Sequence, residues 1–169
     1  MKIDFEKEIK SVLDIVNSGI EKETEIVQAS EIRETFLKAI NEKTLDKIPA
    51  DRIASANIKL SILNTNIGLK ASEAVFQANM SYGFKKFEYA SEWKPTKERI
   101  SKAFGKATND DVDSEIIKNQ WETTKKEMEL KLNADKLVAL NKGIEGVMIA
   151  LGYKLNSLRS EQINANRQK

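Results

Sequence analysis

The stretch IASANIKLSILNTNIGLKASEAVFQANMSYGFKKF, residues 53–87, decides the fold of this chain. Its apolar residues recur every three or four positions, which is the spacing of one face of an α-helix. They form two stripes. The first stripe is Ile53, Ala56, Leu60, Leu63, Ile67, Ala71, Ala74 and Ala78, and the second is Ile58, Ile62, Leu69, Phe76, Met80, Phe84 and Phe87. Because no proline occurs between residues 51 and 93, the pattern predicts one helix over that range.

A β-strand at IKLSIL, residues 58–63, is the competing interpretation, since apolar and polar residues alternate there. We favour the helix because the three-and-four spacing continues on both sides of these six residues.

Two shorter amphipathic helices are predicted before this stretch, within residues 1–48. The apolar residues of the first are Phe5, Ile9, Val12, Leu13, Val16 and Ile20, and those of the second are Ile32, Phe36, Leu37 and Ile40. The sequence NSG at 17–19 is expected to break or kink the first helix. The sequence KIPAD at 47–51 ends the second, because a proline disfavours helical backbone in the residue before it.

After residue 93, Pro95 is expected to interrupt the helix, with a short helix at TKERISKAF and a loop at GKATNDD, residues 105–111. A single long helix is predicted from Val112 to Leu158. The sequence therefore predicts an all-α fold: a long, coiled-coil-like antiparallel hairpin over 51–160 with its turn around 94–110. An N-terminal helical pair precedes it, and a tail at 161–169 is expected to fray.

The composition narrows the possible functions. The chain has 169 residues, 32% of them charged, and contains neither cysteine nor histidine. Thiolate zinc sites and disulfides are thereby excluded, and the commonest general base is missing. No Walker, nucleophile-elbow or kinase motif is present. We therefore expect no enzyme activity, no cofactor and no metal site. The charged first residues and the lack of a long apolar run predict a cytoplasmic protein without membrane association, in a bacterial cell or a phage-infected host.

The lengths of the predicted helices favour self-association. A helix over 51–93 would be about 65 Å long at about 1.5 Å per residue, longer than a compact domain of this size. Its two apolar stripes need more than one partner helix, which predicts a homo-oligomer. The alternative is that the N-terminal helices fold back and cover the second stripe. The candidate oligomerisation residues are Ile144, Met148, Leu151, Leu155 and Leu158.

The segment GFKKFEYASEWKPTKERISKAFGK, residues 83–106, combines aromatic and basic side chains, and residues 85–106 have a net charge of +4. One interpretation is a partner-facing hairpin tip that binds single-stranded DNA, with rings on bases and lysines along phosphates. The other places Phe84 and Phe87 in the core and the lysines on a solvated rim. The candidate DNA-binding residues of this segment are Tyr89, Trp93, Lys94, Lys97, Arg99, Lys102 and Phe104.

Three stretches also carry a resemblance to a known family: IKLSILNTNIGLKASEAVFQANMSYG, TKERISKAF and ADKLVALNKGIEGVMIALGYKLNSLRSE. Their order, length and hydrophobic rhythm resemble small phage recombination mediators of the UvsY type. The resemblance implies a helical protein that oligomerises through its C-terminal helix, binds single-stranded DNA and helps a recombinase to displace a single-strand-binding protein. It also implies a DNA-contacting region that includes Lys59, Lys70, Lys85 and Lys86.

A binding module without nucleic acid is the alternative function. A small helical protein of a phage or bacterium can act as an inhibitor of a host enzyme or defence complex through protein–protein contacts. The acidic N-terminal helices, with a net charge of −3 over residues 1–48, would suit a basic target. Salt separates the two functions, because binding to phosphates weakens steeply with added salt and an apolar helix–groove contact does not.

Overall fold

The structure is a computed structural model that describes residues 5–167, apart from the side chains of Phe5, Glu6 and Glu21. This range contains no strand, and its helices are α1 (Phe5–Glu21), α2 (Thr24–Asn41), α3 (Ala50–Phe104), α4 (Asn109–Asn119) and α5 (Trp121–Arg167), with a 3₁₀ turn at Leu45–Lys47. The predicted all-α fold with long antiparallel helices and an N-terminal helical pair is confirmed. The competing strand at 58–63 is wrong.

Internal contacts divide the described chain into two units that do not follow sequence order. Unit 1 contains residues 5–18 and 73–134, and unit 2 contains residues 19–72 and 135–167. Each of the long helices α3 and α5 contributes one part to each unit. The predicted ranges 1–48, 51–160 and 161–169 stay a prediction, and residues 1–4, 168 and 169 lie outside the described range.

The core of unit 2 forms where α3 and α5 run antiparallel. Lys154 on α5 pairs with Asp46, just before α3, while Asn141 on α5 lies beside Gly68, further along α3. The largest fully buried side chains here are Ile53, Leu60, Ile67, Ile144 and Leu151. Each contributes about 1.5–3 kcal/mol through burial of its apolar surface.

The helix α2 covers this core with Ile26, Ala29, Phe36 and Ala39, all buried. It approaches α5 closely at Gly143, where an added Cβ would lie 2.6 Å from Arg33 Nε. Any larger residue at position 143 would therefore force the Arg33 side chain to move.

Unit 1 packs α1 and α4 around its own parts of α3 and α5. The buried apolar side chains are Val12 and Val16 of α1, Ala74 of α3, Val112 and Ile116 of α4, and Ala134 of α5. Lys85 of α3 pairs with Glu127 of α5 at 2.6 Å, and Lys125 of α5 pairs with Glu8 of α1 at 2.9 Å. The first apolar stripe of α3 therefore faces inward in both units, with Leu63 and Ala78 half-buried.

Pro95 does not interrupt the helix, because α3 continues through it to Phe104. Proline removes one backbone hydrogen bond from a helix, at a cost of about 3 kcal/mol. Contacts with α4 hold the helix in place on both sides of Pro95: Trp93 bonds to Asp113, and Arg99 to Glu115. The helix instead ends at Gly105, whose φ of +79° is the left-handed conformation that closes helices.

Two other predicted boundaries are corrected. The first helix runs through the expected break at 17–19 and ends at Glu21. The predicted long last helix is two helices, separated at Gln120, where φ is −100° and ψ is 19°. The backbone N–H of Gln120 still donates to Ile116, which closes α4 before α5 begins.

Candidate functional site

Two of the aromatic residues predicted to stack on bases are held against α4 in unit 1. The Tyr89 hydroxyl and the Trp93 indole N–H, the latter at 3.3 Å, both donate to Oδ1 of Asp113. The Lys97 ammonium lies 4.6 Å from the centroid of the Trp93 ring. The bond to the Asp113 carboxylate, helped by burial, raises the pKa of Tyr89. These side chains therefore join α3 to α4 rather than offering open stacking surfaces.

Several cations predicted to contact phosphates already have partners within their own unit. In unit 1, Lys85 pairs with Glu127, Arg99 pairs with Glu115 at 3.2 Å, and the Lys86 ammonium lies 5.0 Å from the Tyr82 ring centroid. The two carboxylates lie outside residues 85–106 and offset two of the four net positive charges of that range.

Lys70, in unit 2, is also paired. Its ammonium donates to Glu23 and lies 3.3 Å from Glu25, and the hydrogen bond to Glu23 is the main cause of its raised pKa. A phosphate group would have to compete with two carboxylates for this lysine.

The remaining candidate DNA-binding residues are exposed to solvent. Phe104, at the end of α3, is 81% exposed. Lys94 and Lys102 of unit 1 and Lys59 of unit 2 are exposed, and none of the three forms an ion pair within residues 5–167. Among the candidate DNA-binding residues of α3 in unit 1, those that are exposed and have no partner in the described chain therefore lie in its last three turns, at Lys94, Lys102 and Phe104.

The second apolar stripe of α3 is exposed. In unit 1, Phe76, Met80, Phe84 and Phe87 are 65, 45, 63 and 75% exposed. In unit 2 the same holds for Ile58, Ile62 and Leu69. The interpretation that placed Phe84 and Phe87 in the core is therefore wrong, and so is the alternative that the N-terminal helices cover this stripe. The inward positions are taken by the first stripe, whose alanines permit close helix contacts.

In unit 1 this exposed face lines a groove of about 1050 Å³. Phe76, Met80 and Phe84 line it from α3, Ile15 from α1 and Leu130 from α5. Its charged rim is Glu88, Glu122, Lys125, Lys126 and Glu129. We call the four side chains Phe76, Met80, Phe84 and Phe87 the apolar face of unit 1.

The candidate oligomerisation residues on α5 are mostly covered by the chain itself. Ile144 and Leu151 are fully buried in unit 2, while Met148, Leu155 and Leu158 are half-buried. The first two cannot form a surface for a second copy, because α5 turns them into the core of its own unit. Homo-oligomerisation stays a prediction, and other side chains would have to provide the contact.

Sequence reasoning missed the partner of Tyr89 and Trp93, and it missed Ile15 of the groove. The acidic run that contains Asp113 is visible in the sequence, but nothing in it says which carboxylate meets which ring. The spacing of apolar residues did predict the apolar face as part of the second stripe, and residues 74–84 contain no charged side chain in a chain that is 32% charged.

Within the described part of the chain, no group of three or more carboxylates is placed to hold a metal ion. No helix in residues 5–167 combines the length and the apolar character needed to span a membrane. Comparison with known protein families, curated proteins and solved structures finds no match for this chain.

Proposed function

We propose that this protein is a non-enzymatic helical module that acts through protein–protein contacts, with the apolar face of unit 1 as its contact surface. The observation that carries the proposal is the exposure of four large apolar side chains within three turns of one helix. From their exposed fractions they offer about 500 Å² of apolar surface. One side of a standard interface buries about 800 Å², somewhat more than half of it apolar, so the size fits.

A second copy of the chain is the favoured partner. A two-fold contact brings the same surface of both copies together, so a charge near the symmetry axis meets its own copy and is repelled. Residues 74–84 carry no charge and tolerate such a contact. If two copies of this face lie antiparallel, Phe76 meets Phe87 and Met80 meets Phe84, since both pairs share a midpoint near residue 82.

Size-exclusion chromatography with light scattering tests this proposal over a range of concentrations. Changing Phe76→Gln and Phe87→Gln together should raise the concentration at half-association at least about tenfold, because the two rings meet across the proposed contact and large aromatic anchors each contribute more than about 1 kcal/mol. The control changes Ile149→Gln and Tyr153→Gln, which are exposed on α5, should have little effect. A wild-type protein that stays monomeric at micromolar concentration contradicts self-association.

Single-stranded DNA binding is the second candidate, in line with the resemblance to UvsY-type recombination mediators. Its support is the exposed Phe104 close to Lys94, Lys102 and Lys106 in sequence, lysines without an ion pair in the described chain. Changing these lysines to Ala should lower the log-log salt slope by up to about 0.7 per lost contact. Phe104→Ala should weaken binding by about 1–3 kcal/mol and leave the salt slope unchanged. Failure to bind any labelled oligonucleotide at low salt excludes this candidate.

The cellular location and the biological role are part of the same proposal. A phage or bacterial protein in the cytoplasm that inhibits a host enzyme or defence complex would need protein contacts and no active site. The lack of histidine and cysteine and the apolar face of unit 1 are both consistent with that role.

A further inference from the structure

A groove of about 550 Å³ lies in unit 2, between α2 and the beginning of α3. Its floor is apolar and is formed by Ile32 and Phe36 of α2, Ile48 of the connection, and Ala56 of α3. Phe36 and Ala56 are buried, and the two isoleucines are half-buried. The volume is in the range of sites that hold one or two bulky side chains of a ligand.

Three cations surround this floor. Lys47, Arg52 and Lys59 line the groove, are exposed, and form no ion pair within residues 5–167. Glu31 is the one carboxylate among the lining residues. By contrast, Lys70 of the same unit faces two carboxylates. The groove thus combines an apolar floor with a rim of net positive charge, and the three cations of that rim have no ion-pair partner within residues 5–167.

A smaller groove of about 420 Å³ extends this surface along α3. It shares Glu31, Ile32 and Lys59 with the first groove and adds Ile62 and Leu63. The two together provide a track for a segment of chain rather than a pocket for a compact molecule.

We infer that this groove binds an acidic peptide segment of a partner protein, with a bulky apolar side chain as its anchor. The anchor covers the floor, and the carboxylates of the segment meet Lys47, Arg52 and Lys59. A peptide fits better than a nucleic acid, because the only ring of the floor, Phe36, is buried and offers no face to a base. This site lies in unit 2 and does not depend on the apolar face of unit 1.

The test measures fluorescence anisotropy of a short labelled peptide made of Asp and Glu with one Phe and two Leu. Arg52→Glu and Lys59→Glu should each weaken binding by about fivefold or more, because each replaces an attraction by a repulsion. Lys43→Glu, on an exposed lysine of unit 2 outside the groove, is the matched control. Circular dichroism checks that each variant keeps its helices.

A second variant blocks the groove without touching its charges. Ser55 lines the groove and is exposed, so Ser55→Trp should fill it and abolish binding. Ser61→Trp, on an exposed serine of α3 that does not line either groove, should leave binding intact. The pair Phe76→Gln and Phe87→Gln should also leave it intact, which separates this inference from self-association.

Three results would overturn the inference. The first is no binding of the peptide at low salt, and the second is full binding by the Ser55→Trp variant. The third is equal binding of an all-Asp/Glu peptide or of a single-stranded oligonucleotide, since either would show attraction of polyanions without an apolar anchor.

Discussion

Thr108 and Asp111 show how single residues begin α4. The Thr108 hydroxyl accepts a hydrogen bond from the Asp111 backbone N–H at 3.2 Å, and the Asp111 carboxylate accepts one from the Thr108 backbone N–H at 3.0 Å. This reciprocal pair is a capping box, and it satisfies backbone donors that have no partner in the helix. The N-cap of α4 is therefore Thr108, which lies within the loop that the sequence predicts at residues 105–111.

The cap makes the stability of unit 1 depend on pH. Hydrogen bonds from the Thr108 side chain and backbone lower the pKa of Asp111 below its ordinary value of 3.8. A carboxylate with a lowered pKa stabilises the fold above that ordinary value, and its contribution is lost as pH falls through the lowered value.

We therefore expect Asp111→Asn to unfold at a lower temperature than the wild type at neutral pH. The gap between the two should narrow as pH falls below 3.8, because protonated Asp111 resembles asparagine. Thermal unfolding followed by circular dichroism measures this, with Asp110→Asn, outside the box, as the control. A gap that stays constant over this range would contradict the role of the carboxylate charge.

At the scale of elements, α3 keeps its helical course through Pro95 although the local rule predicts a break. Pro95→Ala restores the missing hydrogen bond, while the more flexible unfolded chain offsets part of the gain. We expect a stability increase of about 1–2 kcal/mol in guanidinium unfolding. Glu98→Ala, at an exposed position of the same helix, should change stability by less than about 0.5 kcal/mol.

A decrease in the stability of Pro95→Ala would give a different account of this helix. It would mean that the backbone shape imposed by Pro95 is needed to bring Trp93 onto Asp113.

The helices could be read from the sequence, because the three-and-four spacing of apolar residues is a local signal. The inward side of α3 could not, since both stripes have that spacing and only the packing of the other helices around α3 in each unit decides between them. The contacts of the candidate site could not be read from the sequence either, because they also depend on how the helices pack. The identity of Trp93 and Lys85 suggested nucleic-acid binding, but Asp113 and Glu127, which contact them, are 20 and 42 positions away.

At the scale of the whole molecule, Gly83 tests the proposed assembly. It lies in the middle of the apolar face of unit 1, and an added Cβ would meet nothing within 4 Å in the single chain. Gly83→Ala should therefore stabilise the chain by up to about 1 kcal/mol through helix propensity. If two copies cross at this point, the same change should weaken their association, because the glycine allows close approach of the helices.

Gly146→Ala is the matched control, because Gly146 lies within α5, and an added Cβ there also meets nothing within 4 Å. It should stabilise the chain by a similar amount and leave association unchanged. Thermal unfolding and light scattering on the same samples give the two readings. If both variants leave the association constant unchanged, the helices do not cross at Gly83.

The placement of Trp93 gives the protein an intrinsic optical reporter. The chain contains two tryptophans, Trp93 and Trp121, and both belong to unit 1. Indole emission therefore follows unit 1 alone, whereas far-ultraviolet circular dichroism follows the helices of both units. During denaturation, coincident curves would mean that the units unfold as one cooperative block, and separated curves would show that one unit outlasts the other.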